Sequence, residues 1–269
     1  KARENAVMMY LNDIKQYANI LTGANNILAI EYLKAIKKLK SKLNPIGIRR
    51  EKVLYKDQYM VDEFASATAI RRMLMTRQFD DVRKSIPKTS YKMLGEELKQ
   101  GHYVLDLFKF EKEILYQLRK MTVEEIKKLP DVSEGLENSI KNAADSCNSL
   151  NELINIVKSK RFTQTRIMRI LLYALLEIDK KQMETSRKII PYTRVLGMNE
   201  KGKQLISDIT KANPKINIVT SVKKYMDDNN NKNLKEMLQK DIFATNVYTL
   251  GYEKDSWANL DYTNKIIIL

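Results

Sequence analysis

Apolar residues recur at helical spacing along most of this chain. A repeat of three to four residues predicts amphipathic helices, over residues 3–19, 26–42, 68–85, 89–100, 104–119, 122–129, 133–145, 149–159 and 163–183. Three short runs favour strands because they are rich in β-branched residues and bounded by turn residues: 46–50, 216–222 and 244–250. The pattern predicts a mainly α protein with a minor α/β part.

The pattern changes near residues 85–90, which suggests two domains, 1–87 and 88–269. In the first, a predicted helix, the strand 46–50 and a second helix follow one another as in an α/β layer. A lone strand cannot pair its own backbone groups. We therefore expect its sheet partners to come from elsewhere, most simply from a preceding segment. After the boundary the chain is predicted to be almost entirely helical, with Thr122 and Glu125 forming a capping box at one helix start.

The net charge of the chain indicates a class of binding partner. The chain has 48 Lys and Arg against 33 Asp and Glu, a net charge of +15. Residues 158–240 contain 19 basic and 8 acidic residues, a surplus of 11. Such a concentration attracts polyanions, and phosphate contacts supply much of nucleic-acid affinity. The alternative is a lysine-rich composition in which solvated faces collect Lys.

Several kinds of site are disfavoured. Cys147 is the single cysteine, which excludes an internal disulfide, fits a reducing compartment and predicts an ordinary structural thiol. His102 is the single histidine, so a typical zinc site or a Ser-His-Asp triad is not expected. No apolar run reaches the roughly 18 residues of a membrane span, and no signal peptide is visible. We expect a cytoplasmic protein without a membrane partner.

The segment "FASATAIRRML", residues 64–74, is a candidate phosphate site. Ser66 or Thr68 is a good N-cap for the predicted helix. A helix N-terminus also binds phosphate, and Arg71, three residues after Thr68, can reach the same anion. An ordinary capped helix with solvated arginines is the alternative.

Six segments in order resemble one family: "ANNILAIEYLKAI" (24–36), "FASATAIRRML", "SEGLENSI" (133–140), "KSKRFTQTRIMRILLYALL" (158–176), "YTRVLGMNEKGKQ" (192–204) and "ATNVYTL" (244–250). They are similar to bacterial tRNA(Met) cytidine acetate ligases, which are nucleotidylyltransferase-like proteins of the His-x-Gly-His superfamily. The resemblance implies that residues 1–87 are the C-terminal part of a Rossmann-like ATP-binding domain and that 88–269 are a helical tRNA-binding domain. It implies that ATP, with Mg²⁺ bound through its phosphates, activates acetate as acetyl-adenylate. The acetyl group then passes to the wobble cytidine of elongator tRNA(Met).

Nothing here matches the family's His-x-Gly-His segment. We expect that module, with the catalytic residues, upstream of Lys1, and we expect these residues alone to be inactive. The resemblance assigns ATP contacts to Asn25, Arg50, Ser66, Thr68 and Arg71. Asn25 and Asn26 can instead cap the next helix. Arg50 is placed at the carboxyl end of the predicted strand, where open α/β sheets bind ligands.

The stretch from residue 158 onward favours RNA binding. Thr163 is a plausible N-cap, and Ile167, Ile170, Leu171, Ala174 and Ile178 form an apolar stripe. Cations at a helix start are unfavourable for its dipole, so we expect an external anion to explain them. The candidates for tRNA contacts are Lys158, Lys160, Arg161, Arg166, Arg169, Arg194, Lys201 and Lys203. Tyr192 is a weaker candidate for stacking on a base, and solvated helix residues are the alternative.

The sequence is compatible with three functions. The first is an ATP-dependent tRNA acetate ligase. The second is a basic RNA-binding module without a working nucleotide site. The third is a nucleotidylyltransferase with another acceptor.

Overall fold

The structure is a computed structural model that describes residues 23–48 and 64–269. The chain divides into two compact units, Lys1–Tyr91 and Lys92–Leu269. This division lies close to the predicted domain boundary at residues 87–88. The helix predicted over 3–19 lies outside the described residues.

Three helices lie within the described part of the first unit, and a fourth begins there. They are α1 (Ala24–Lys38), α2 (Ala67–Met75), α3 (Phe79–Ser85) and α4 (Lys88–Gln100). Helices α2 and α3 pack together. Ala69, Met73 and Val82 are their buried apolar side chains.

The helix predicted over 68–85 is interrupted. Arg77 has a left-handed backbone conformation, φ 58°, and the amide of Gln78 donates to the carbonyl of Met73 at 2.8 Å. A left-handed residue of this kind ends a helix. Because no glycine lies at this position, the apolar periodicity continues through it, and the sequence does not predict the helix end.

The second unit is built mainly of helices. They are a 3₁₀ helix (Leu107–Phe110), α5 (Glu111–Lys120), α6 (Val123–Lys127), α7 (Leu136–Ser146), α8 (Leu150–Val157), α9 (Gln164–Leu175), α10 (Lys180–Lys188), α11 (Glu200–Ala212), α12 (Val222–Asp228), α13 (Lys232–Leu250) and α14 (Leu260–Thr263). Four two-residue strands form two parallel pairs: β1 (Thr193–Arg194) with β3 (Ile218–Val219), and β2 (Gly197–Met198) with β4 (Ile267–Ile268). The prediction of a mainly α protein is confirmed.

The larger core lies among α5, α7, α8 and α9. Its fully buried side chains include Ile114, Leu118, Leu136, Ile140, Leu150, Leu153, Ile167, Ile170 and Leu171. The stripe predicted on α9 is buried from Ile167 to Ala174, whereas Ile178 follows the helix end and is only half-buried. Burial of each of these side chains stabilises the folded state by on the order of 1.5–3 kcal/mol, before the entropy cost of ordering the side chain is subtracted. This core fixes the position of the basic helix start.

The capping box predicted at Thr122 is present. Thr122 Oγ1 accepts from the amide of Glu125, and the Glu125 carboxylate accepts from the amide of Thr122 at 2.8 Å. These hydrogen bonds stabilise the charged carboxylate and lower the pKa of Glu125. The start of α6 is therefore determined locally.

A smaller core lies nearer the C-terminus. Val219, Val222, Leu238 and Ile242 are buried there, and Tyr192, Tyr225 and Met226 pack against them. The predicted strand 216–222 is only partly correct, because just Ile218–Val219 is a strand. Ser221 then caps α12, which begins at Val222.

Two other strand predictions are wrong where the structure describes them. Residues 46–48 are not in a strand, and Ile46 and Ile48 are exposed; residues 49–50 lie outside the described part. Residues 244–250 belong to α13, whose buried Leu234, Leu238 and Ile242 continue a helical period. Packing of that face outweighs the β-propensity of the local sequence.

The helix predicted over 163–183 also consists of two helices. Helix α9 ends at Leu175, and Glu177 is left-handed with φ 51°. Asp179 then starts α10 with a second capping box, which includes Gln182. The chain therefore turns after the larger core has been covered.

Candidate nucleotide and RNA-binding sites

The start of α2 is the candidate phosphate site. Ser66 is the N-cap, and its Oγ accepts from the amide of Ala69 at 3.0 Å. This hydroxyl is buried, with Ser66 only 4% exposed. Of the two residues proposed as the cap, Ser66 therefore holds the helix start and Thr68 lies inside the first turn.

Thr68 and Arg71 are exposed, while Ala69 and Met73 face the interior. Neither Thr68 nor Arg71 has a hydrogen-bond or salt-bridge partner among the residues that the structure describes. Residues three apart lie on one helix face, so the hydroxyl and the guanidinium are available to the same ligand. The first-turn amides, which lack acceptors within the helix, lie at the same end.

Asn25 lies in the first turn of α1 and is exposed. The N-cap is Gly23, whose carbonyl accepts from the amide of Ile27 at 3.0 Å. The alternative in which Asn25 and Asn26 cap the helix is therefore wrong, because both lie inside it. The role of Asn25 toward ATP stays a prediction, and Arg50 lies outside the described residues.

The arginines at the start of α9 have partners within the protein. Arg166 donates to the carbonyl of Asp131 at 2.9 and 2.6 Å and to Oγ of Ser133 at 2.8 Å. Arg169 donates to the Asp131 carboxylate at 3.0 and 2.9 Å. An external anion is not needed to explain these two cations, because the loop before α7 supplies acceptors. Their binding to tRNA stays a prediction.

The residues before α9 are more open. Arg161 pairs with Glu134, and both side chains are more than half exposed. Lys158 donates to Oδ1 of Asn155 at 2.7 Å, and Lys160 is exposed. Thr163 is the N-cap residue as predicted, although its side chain does not bond the helix amides.

The later candidates are one half-buried arginine and two exposed lysines. Arg194, on β1, pairs with Asp261, and that carboxylate is almost fully buried. Lys201 is exposed on α11, and Lys203 there lies 3.9 Å from the carboxylate of Glu200. Arg194 therefore has a structural partner, whereas the two lysines face solvent.

Tyr192 belongs to the smaller core. Its hydroxyl donates to the carboxylate of Asp241, and its ring lies edge-on to Tyr225 with centroids 6.0 Å apart. Burial, followed by the Asp241 hydrogen bond, raises the pKa of the Tyr192 hydroxyl. These contacts do not favour the proposed stacking of Tyr192 on a base.

One cleft was not predicted from the sequence. A space of about 560 Å³ lies between α10 and α13, beside Tyr192, with Met183 and Met237 in its lining. The lining residues come from segments about 50 residues apart, so no local pattern brings them together. Lysine and carboxylate side chains also line it, among them Lys181 and Glu236.

The two single-occurrence residues are placed as structural side chains. Cys147 is buried in the larger core, and burial raises the pKa of its thiol. His102 stacks on Tyr252 with ring centroids 5.1 Å apart. Within residues 23–48 and 64–269, no three Cys, His or carboxylate side chains are grouped to hold a metal. Over the same ranges, no helix is both long and apolar enough to cross a membrane.

Comparison with known proteins places these features in a family. The sequence model of a family described as HIGH Nucleotidyl Transferase matches residues 1–261. A tRNA(Met) cytidine acetate ligase of Thermoanaerobacter pseudethanolicus is 39% identical over the whole chain. The chain spans 65% of the length of that relative.

Two solved structures of Thermotoga maritima TmcAL have the same fold. The apo form superposes with a TM-score of 0.90 at 29% identity, covering all of this chain and 66% of that one. The form bound with alpha-thio ATP gives a TM-score of 0.87 at 28% identity, covering all of this chain and 65% of that one. The chain therefore belongs to the HIGH nucleotidyl transferase family and is homologous to tRNA(Met) cytidine acetate ligases.

Proposed function

We propose that this chain is part of an ATP-dependent ligase that acetylates the wobble cytidine of elongator tRNA(Met). The observation that carries the proposal is the start of α2. Ser66 is buried as the cap, while Thr68 and Arg71 remain exposed and unpaired among the described residues. This arrangement suits an anion, and one solved relative carries an ATP analogue.

The donor set fits a triphosphate. Amides at a helix start and the positive end of the dipole favour negative charge. The Thr68 hydroxyl adds a neutral donor, and the Arg71 guanidinium adds a charged one. We assign Ser66, Thr68, Arg71, Asn25 and Arg50 to ATP binding, with Ser66 acting by holding the helix start. Mg²⁺ is expected to bind through the phosphate oxygens.

The proposed chemistry has two steps. A carboxylate oxygen of acetate attacks the α-phosphorus of ATP, forming acetyl-adenylate as the bond to pyrophosphate breaks. The exocyclic amine of the cytidine then attacks the acetyl carbonyl, and AMP leaves as the amine loses a proton. Positioning and neutralisation of phosphate charge account for much of such catalysis.

The basic second unit is the proposed tRNA-binding part. It contains the 19 basic and 8 acidic residues of segment 158–240. Among the predicted contacts, Lys158, Lys160, Lys201 and Lys203 are exposed. A long-range positive field of this kind increases the rate of encounter with RNA.

The test is exchange of labelled pyrophosphate into ATP by the full-length protein, with and without acetate. Acetyl-adenylate formation predicts exchange that requires acetate and does not require tRNA. Absence of exchange while tRNA binding is intact would contradict the enzyme and leave an RNA-binding module. Exchange that ignores acetate but responds to another acid would indicate a different acyl donor.

A further inference from the structure

Helices α6 and α7 form a hairpin around a tightly packed loop, residues 128–135. Leu129 and Val132 of this loop are 3% and 2% exposed. They belong to the larger core, together with Ile126 on α6 and Ile140 on α7. These two buried side chains therefore anchor the loop to the larger core.

The loop has an unusual backbone conformation. Asp131, Glu134 and Gly135 are all left-handed, with φ of 63°, 61° and 82°. Residues other than glycine seldom adopt this region, so Asp131 and Glu134 need surroundings that hold them there. Cationic side chains hold this conformation.

Three cations from the neighbouring helices fix the loop. Arg166 binds the Asp131 carbonyl and Ser133 Oγ, and Arg169 binds the Asp131 carboxylate. Lys180 donates to the carbonyls of Lys127 and Val132 at 2.7 and 2.9 Å. Segments from α6–α7, α9 and α10 are thereby brought together at one place.

We name this place the basic hairpin surface and define it as residues 127–135, 158–169 and 179–181. These segments contain nine basic and three acidic residues. Each acid is engaged: Asp131 by Arg169, Glu134 by Arg161, and Asp179 by the amide of Gln182 at 2.7 Å. Arg166 and Lys180 bind neutral carbonyl groups, so their charges are not cancelled by those contacts.

Five other lysines complete the charge of the surface. They are exposed and form no salt bridge with a residue that the structure describes: Lys127, Lys128, Lys158, Lys160 and Lys181. None of the large apolar side chains in its three segments is exposed. Protein interfaces and membrane-surface helices ordinarily include such side chains. A cationic surface without them suits a phosphate backbone.

We propose that the basic hairpin surface receives the phosphate backbone of RNA, with Lys127, Lys128, Lys160 and Lys181 as contacts. Arg166 and Arg169 are positioning residues that hold the loop. Arg161, whose exposed pair with Glu134 is weak, can exchange its carboxylate partner for a phosphate. This inference rests on the proposed function for the identity of the RNA.

The test is a salt titration of elongator tRNA(Met) binding to the intact protein. The triple variant Lys127→Ala, Lys128→Ala, Lys181→Ala is compared with a variant of equal charge loss outside the surface. That control is Lys211→Ala, Lys215→Ala, Lys265→Ala, at exposed positions. Both variants must have the same melting temperature, so that a change in tRNA affinity reflects lost contacts and not lost folding.

The surface triple is expected to raise Kd on the order of ten- to hundredfold and to reduce the slope of log K against log salt by about 2 to 3. The control is expected to keep the slope. Equal slopes in both variants would overturn the proposal and leave the lysines as solvated residues. So would unchanged tRNA affinity with lost binding to phosphatidylserine vesicles. Acetate-dependent exchange by the unsubstituted protein, measured without RNA, tests the proposed function separately.

Discussion

Arg71 is the residue on which the proposed nucleotide site depends most directly. It is exposed at the start of α2 and has no partner among the described residues. A hydrogen bond to a charged group contributes about 1.5–3 kcal/mol. We expect Arg71→Ala to raise the KM for ATP roughly ten- to hundredfold in the exchange reaction. Arg83→Ala on α3, also exposed, is the control, and an equal effect of the two would remove Arg71 from the site.

Cys147 provides a second test at the scale of one residue. Its thiol is 1% exposed, and burial raises its pKa. The thiolate is the reactive form, so the fraction available to an alkylating agent is lower in the folded protein than in the unfolded one. We expect iodoacetamide at pH 8 to label native Cys147 much more slowly than the urea-unfolded chain. Equal rates would contradict its burial.

At the scale of elements, the loop between α6 and α7 depends on arginines that are distant in sequence. Arg169→Lys keeps the charge but loses the guanidinium, which donates two hydrogen bonds to Oδ2 of Asp131. We expect faster hydrogen exchange of the amides in 131–135 and a loss of stability of at most about 1 kcal/mol, because both side chains are largely exposed. Unchanged exchange in this loop, with Arg187→Lys on α10 as control, would show that Arg169 does not position it.

The elements also show what sequence can predict. Local signals located the capping box at Thr122 and the apolar stripe of α9, because both depend on residues within a few positions of each other. The breaks at Arg77 and Glu177 carry no glycine, and the β-branched run 244–250 is helical because it continues a buried face of α13. The partners of Arg166 and Arg169 lie more than 30 residues away, so spacing alone could not reveal them.

At the scale of the whole molecule, the resemblance of six ordered segments identified the family that the comparisons show. The second unit adds a surface where nine basic residues gather from three segments. Charge counting predicted attraction to RNA but could not distinguish the cations that hold the loop from the others. The folded arrangement separates those that hold the loop from those that remain available to a ligand.

The most direct test of the central claim is transfer of labelled acetate to tRNA by the full-length protein. The account predicts ATP-dependent incorporation into elongator tRNA(Met), and none into the same tRNA with uridine at the wobble position. Incorporation without ATP, or equal incorporation into both tRNAs, would contradict it.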